Sequence, residues 1–201
     1  MITIVDYGMG NLESIRNMLR RVGVHATITG HPDDIADAEK LLLPGVGSFD
    51  AAMAEIEARG LRTVLDHKVM EERVPILGIC LGMQLITRGS EEGVLPGLGW
   101  VDADVLRFPS NGELKVPHMG WNLVEATRPS PLTAGLADEP RFYFVHSYYV
   151  KADRREDVVL TASYGVTFDA ALEVGNIRGA QFHPEKSHRF GMQVLANFAA
   201  I

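Results

Sequence analysis

Residues 74–82, Val74-Pro75-Ile76-Leu77-Gly78-Ile79-Cys80-Leu81-Gly82, are an apolar run that ends at a glycine-flanked cysteine. Val74–Ile79 has the length and branched side chains of a buried strand, and Leu81–Arg88 has the composition of a helix, so Cys80 falls on the turn between them. A nucleophile on such a sharp strand-to-helix turn sits in strained backbone and needs almost no side chain two residues to either side. Gly78 and Gly82 supply that room. The same turn puts the sulfur at a helix N-terminus, where the dipole and free N–H groups favour thiolate. It also makes the Leu81 N–H a natural oxyanion donor. A buried structural cysteine is the competing reading of the residue.

Outward from this turn, strand and helix alternate through the first ninety residues. Met1–Asp6, His25–Thr29 and Lys40–Leu43 read as strands. Asn11 stands where it could cap a helix with apolar Leu12, Ile15, Leu19 and Val22, stopped by Gly23. Ser48–Arg59 and Leu61–Glu72 read as further helices. Such alternation predicts an α/β fold with a mostly parallel sheet and helices on both faces. In the second half Val101–Phe108, Arg141–Val150, Val158–Ser163, Phe168–Val174 and Ile177–Phe182 are strand-like, with Gly175-Asn176 a hairpin turn, so the sheet should be mixed. Pro96–Gly99 and Ser110–Gly112 read as loops, Pro117–Pro140 as strand-poor, and Ser187–Phe198 as a last helix. With no repeat or linker, residues 1–201 are expected to form one domain.

Composition narrows the function classes. Hydrophobic residues make up 46% and charged residues 22%, an ordinary globular mix that excludes a disordered chain. Lys+Arg 19 against Asp+Glu 26 gives a net charge of −7, which argues against a nucleic-acid partner. No apolar run approaches the ~20 residues that span a bilayer, so no membrane partner is expected. One cysteine forbids an internal disulfide and thiolate zinc cages, and with the N-terminus lacking a signal-peptide pattern it fits a cytoplasmic protein. The histidines show no metal spacing, and neither a P-loop nor HExxH is present. Gly8-Met9-Gly10 fails as a dinucleotide loop because Glu13 stands where its third glycine belongs. No metal and no cofactor are expected.

A thiol nucleophile needs a base, and His183-Pro184-Glu185 stands out among seven histidines. The apolar strand before it runs out at Pro184, which places the trio at a strand end, as Cys80 is. Residues i and i+2 of extended chain face the same way, so Glu185 can orient His183. Pro44-Gly45-Val46-Gly47 follows another strand end and could aim backbone N–H groups at an oxyanion, although a plain turn has the same pattern.

Gly78-Ile79-Cys80-Leu81-Gly82-Met83-Gln84 and Gln181-Phe182-His183-Pro184-Glu185-Lys186-Ser187 resemble the two signature blocks of the class I (triad) glutamine amidotransferases. Asp6-Tyr7-Gly8-Met9-Gly10-Asn11, Pro44-Gly45-Val46-Gly47, Pro117-His118-Met119-Gly120-Trp121-Asn122 and Phe144-Val145-His146-Ser147-Tyr148 resemble the glutaminase subunits of imidazole glycerol phosphate synthase. The resemblance implies a flavodoxin-like sheet and a Cys80–His183–Glu185 triad that hydrolyses L-glutamine through a γ-glutamyl thioester. It implies Gly45, Val46, Gly47 and Leu81 as the oxyanion site, and Gln84, Glu92, Ser147 and Tyr148 as glutamine contacts. It further implies a heterodimer with a (β/α)₈ cyclase that takes the ammonia and makes imidazole glycerol phosphate and aminoimidazole carboxamide ribotide in histidine biosynthesis. Asn11, His118, Met119 and Trp121 are the candidates for the docking face, with ordinary loop packing as their other reading. An amidotransferase serving another pathway, a stand-alone Cys–His–Glu hydrolase and a binding module with an inert Cys80 are the alternatives.

Overall fold

The computed structural model describes residues 1–109 and 114–201. In chain order the strands are β1 (Ile2–Val5), β2 (Ala26–Thr29), β3 (Leu41–Leu43), β4 (Ile76–Ile79), β5 (Ala103–Arg107), β6 (His118–Leu123), β7 (Glu125–Ala126), β8 (Arg141–His146), β9 (Tyr148–Ala152), β10 (Val158–Tyr164), β11 (Val166–Val174) and β12 (Ile177–Ala180). The helices are α1 (Leu12–Arg21), α2 (Pro32–Ala36), α3 (Phe49–Ala58), α4 (Leu61–Asp66), α5 (Leu81–Leu85) and α6 (His188–Ala200).

Eight strands form the central sheet in the order β2-β1-β3-β4-β12-β11-β10-β7. The first five run parallel, and β11, β10 and β7 follow antiparallel. The strands Ile2–Val5, Leu41–Leu43 and Ile76–Ile79 are apolar on nearly every residue because both their faces are covered. Ile4, Leu42, Leu77 and Ile79 pack under Ile15 and Leu19 of α1 and Val194 and Phe198 of α6. Val5, Leu41, Leu43 and Ile76 pack under Phe49 and Ile56 of α3 and Leu61 and Leu65 of α4. The mixed α/β sheet with helices on both faces is as expected. No helix among the described residues is long and apolar enough to cross a membrane.

Two antiparallel ribbons, β5-β9 and β6-β8, lie outside this sheet. They correct two expectations. Arg141–Val150 is not one strand: it breaks at Ser147, where the chain leaves its partner β6 and takes up β5. Nor is 117–140 strand-poor, since β6 and β7 lie in it; Gly120 and Asn122 weaken the strand signal that pairing with β8 restores. The helix after Cys80 is shorter than expected, because residues 98–101 donate to the carbonyls of Leu85, Ile86 and Thr87 and end it. Asn11 stands at the start of α1, but with φ −94° and ψ 63° its side chain makes no capping bond. The short α2 has too little periodicity to be seen in the sequence. The expected loop at Ser110–Gly112 lies outside the described residues.

Candidate active site

Parallel pairing of β3, β4 and β12 carries their carboxyl ends to one edge, where functional loops of open α/β sheets gather. Ile79 is in register with Ala180, and the Cys80 N–H donates to the Ala180 carbonyl at 2.7 Å. This sets Cys80 beside the segment that ends in His183. Cys80 itself has φ 53° and ψ −109°, a strained conformation for a residue with a side chain. A Cβ on Gly82 would overlap the Leu43 carbonyl oxygen, and one on Gly78 would come to 2.6 Å from the Gly82 oxygen. The two glycines are therefore required by main-chain contacts on both sides of the elbow.

His183 and Glu185 are almost wholly buried, and the His183 Nδ1–H donates to Glu185 Oε1 at 2.8 Å. Ser187 holds the strand end in place: its hydroxyl donates to the His183 carbonyl at 2.6 Å and accepts from the Tyr143 N–H at 3.0 Å. That leaves Nε2, which has no hydrogen-bond partner among the described residues, to face the cavity it shares with Cys80. Burial disfavours the imidazolium, but the charges and hydrogen bonds of Cys80 and Glu185 outweigh it and push His183 up to about 10. The His183 ring is thus held as an imidazolium beside the sulfur.

A cavity of about 320 Å³ opens over the sulfur. Of the residues expected there, Val46, Gly47, Leu81, Gln84, Glu92, Ser147 and Tyr148 line it together with Cys80 and His183. Gly45 does not; it is wedged against the Tyr7 hydroxyl and Leu81. Glu185 stands behind His183, where an orienting carboxylate belongs. Glu92 is the one carboxylate on the wall among the described residues, held by the Phe49 N–H at 2.9 Å. Gln84 uses both amide hydrogens inward, to the Tyr148 carbonyl (3.0 Å) and to Gln181 Oε1 (3.1 Å).

Among the four docking candidates, Asn11 is exposed, and Met119 and Trp121 expose 62% and 46% of their surface. His118 is the correction: it is 3% exposed, stacked between Phe144 and Tyr164, because β6 alternates and turns His118 inward as it turns Met119 out. Sequence reasoning gives no role to three other buried groups. The Tyr7 hydroxyl donates to the Pro44 carbonyl at 2.7 Å and anchors the glycine loop. Gln181 donates to Cys80 Sγ at 3.8 Å, and His146 lines the cavity. Gln181 could have been found from the period of two, since it shares a face with His183.

A profile of the family described as "Glutamine amidotransferase class-I" matches residues 3–201. The chain is 49% identical over 201 residues to imidazole glycerol phosphate synthase subunit HisH 2 of Pseudomonas aeruginosa, with all of both chains covered. It is 49% identical over 198 residues to the HisH 2 subunit of Methanococcus maripaludis, with 98% of each covered. Among solved structures, a glutamine amidotransferase superposes with TM-score 0.73 at 18% identity, covering 100% of this chain and 99% of the other. PurLQS from Thermotoga maritima gives TM-score 0.74 at 22% identity, covering 98% and 96%. These two likenesses are of fold.

Proposed function

The chain belongs to the class-I glutamine amidotransferases and, within them, to the HisH subunits of imidazole glycerol phosphate synthase; from that premise we propose how its residues release ammonia from L-glutamine for a cyclase partner. One observation carries the assignment: a strained, glycine-flanked Cys80 shares a cavity with a His183 whose other nitrogen is held by a buried Glu185.

The Cys80 thiolate adds to the side-chain carbonyl carbon of glutamine, and the carbonyl oxygen becomes an oxyanion. The Leu81 N–H at the start of α5 and the main chain of Val46 and Gly47 face that charge. His183 gives its proton to the amide nitrogen, the C–N bond breaks, ammonia leaves and a γ-glutamyl thioester remains. Neutral His183 then takes a proton from water, the hydroxide adds to the thioester, and glutamate departs as the thiolate re-forms. Glu92 is placed to meet the α-ammonium of glutamine, and Gln84, Ser147 and Tyr148 form the wall along its chain.

Residues 1–201 act as one amidotransferase domain in this reading. The partner is a (β/α)₈ cyclase, seated on the face that carries Asn11, Met119 and Trp121, with the ammonia passing between the two proteins. Water would turn escaping ammonia into non-nucleophilic ammonium, so docking over the cavity serves the chemistry. The single buried Cys80 fits a reducing cytoplasm.

The test is glutamate release from L-glutamine, with the cyclase and its nucleotide ligand present or absent, and Cys80→Ala as control. Stimulation by the occupied partner, abolished in the variant, supports the reading. Full activity without any partner refutes the coupled mechanism, and activity surviving in Cys80→Ala refutes the thioester.

A further inference from the structure

A line of hydrogen bonds runs from β6 to the cavity, with the His118–His146 bond buried at its centre, and its direction can be worked out from chemistry alone. His146 Nδ1 lies 2.7 Å from the Tyr148 carbonyl, which can only accept, so Nδ1 carries the proton. In a neutral ring Nε2 is then an acceptor. Its neighbour at 3.0 Å is His118 Nδ1, which must therefore be the donor. His118 Nε2 becomes an acceptor in turn, and the Asn122 amide donates to it at 3.3 Å while giving its other hydrogen to the Ser163 carbonyl at 2.9 Å. Both histidines are fixed as the Nδ1–H tautomer with no choice left.

The line ends on the active site. The Tyr148 carbonyl also accepts from Gln84, which donates to Gln181, which donates to Cys80 Sγ. The Ser147–Tyr148 segment is where the chain crosses from the β6-β8 ribbon to the β5-β9 ribbon, and both residues line the cavity. Neither His118 nor Asn122 does.

We propose that Asn122, His118 and His146 are positioning residues for glutamine: a one-directional chain of neutral donors that fixes the Tyr148 carbonyl and, through it, the Ser147–Tyr148 wall and the Gln84–Gln181 pair beside Cys80. This rests on the glutaminase reading of the cavity. The buried state of both rings agrees with it, since a proton added at His146 Nε2 would meet the His118 Nδ1–H, and one added at His118 Nε2 would meet the Asn122 amide donor.

The test compares His118→Phe with His118→Asn in the complex with the cyclase, measuring kcat and KM for L-glutamine by glutamate release. Phenylalanine keeps the stacking between Phe144 and Tyr164 but donates nothing. Asparagine gives up the stacking but keeps an amide donor where Nδ1 was. KM is expected to rise about tenfold in His118→Phe with kcat nearly unchanged, the loss of roughly one hydrogen bond's worth of binding. In His118→Asn, KM should return most of the way to wild type. A purely structural role predicts the reverse order, so an unchanged KM in His118→Phe, or a worse one in His118→Asn, overturns the proposal. Nitrogen-15 spectra of the wild-type complex give a check that needs no variant: both rings must show protonated Nδ1 and bare Nε2, and any other tautomer refutes the chain. Wild-type enzyme that releases no glutamate would fail the glutaminase reading itself, a distinct result.

Discussion

Acidification from pH 7 to pH 5 is expected to destabilise the folded chain by about 3 kcal/mol, and His118→Phe should remove most of that loss. Burial holds His118 down to about 4 and His146, with a neighbouring His118 adding to the effect, down to about 3, against 6.5 for a free ring. Below 6.5 the unfolded rings take up protons that the folded rings refuse until about 4 and 3. The unfolded state therefore binds more protons in this window, and stability falls as pH falls, levelling only below the folded values. From 6.5 to 5 each ring contributes about 2 kcal/mol of this loss, at roughly 1.4 kcal/mol per tenfold in proton concentration. His183 works the other way. Its folded pKa is raised, so its stabilisation is complete below 6.5 and lost as pH rises toward 10, and acidification to pH 5 returns under ~1 kcal/mol. Urea titrations at pH 7 and pH 5 measure the net. With m of ~2 kcal/mol/M the wild-type midpoint should drop about 1.5 M, and that of His118→Phe about 1 M less than wild type. Equal drops in the two proteins would mean that His118 is not held neutral, and the reasoning from burial would fail with it.

Three further outcomes follow from the site. Gly82→Ala drives a Cβ into the Leu43 carbonyl, so it should cost about 3 kcal/mol, lower Tm by about 10 °C and abolish glutamate release; a thermal melt with a normal Tm would contradict the contact. Glu185→Gln keeps the shape but removes the anion that helps hold His183 protonated, so kcat should fall about 10²-fold or more and the alkaline limb of the pH–rate profile should move to lower pH. Tyr7→Phe leaves the buried Pro44 carbonyl without its partner, and urea unfolding should show a loss of about 1–2 kcal/mol together with a lower kcat as the glycine loop loses its anchor.

Local chemistry makes part of this molecule legible from its residues alone. The elbow at Cys80 is readable because it needs glycine at fixed offsets from one residue type, and His183 and Glu185 because Pro184 marks a strand end. The parallel half of the sheet announces itself through strands apolar on both faces. What stays hidden depends on partners distant in sequence. Nothing within 118–123 says strand until β8 is laid against it, and nothing in Arg141–Val150 shows that Ser147 must serve two ribbons. His118 is misread as a surface residue for the same reason: whether a strand residue points in or out is set by register, which a glycine-bearing hexapeptide does not reveal. Gln181 matters through bonds to Cys80 and Gln84, and His146 through its bond to His118, each made between segments far apart in sequence.

The contact of Gly82 with the Leu43 carbonyl, and of Gly45 with Leu81, has a consequence for how this scaffold can be altered. Nucleophile turn and glycine loop are butted main chain to main chain, so the gap between the sulfur and that loop is a gauge set by the backbone and braced by the Tyr7 hydroxyl. The wall formed by Gln84, Glu92, Ser147 and Tyr148 can be recut for a different amide without resetting that gauge, whereas the first methyl group added at position 82 throws it out.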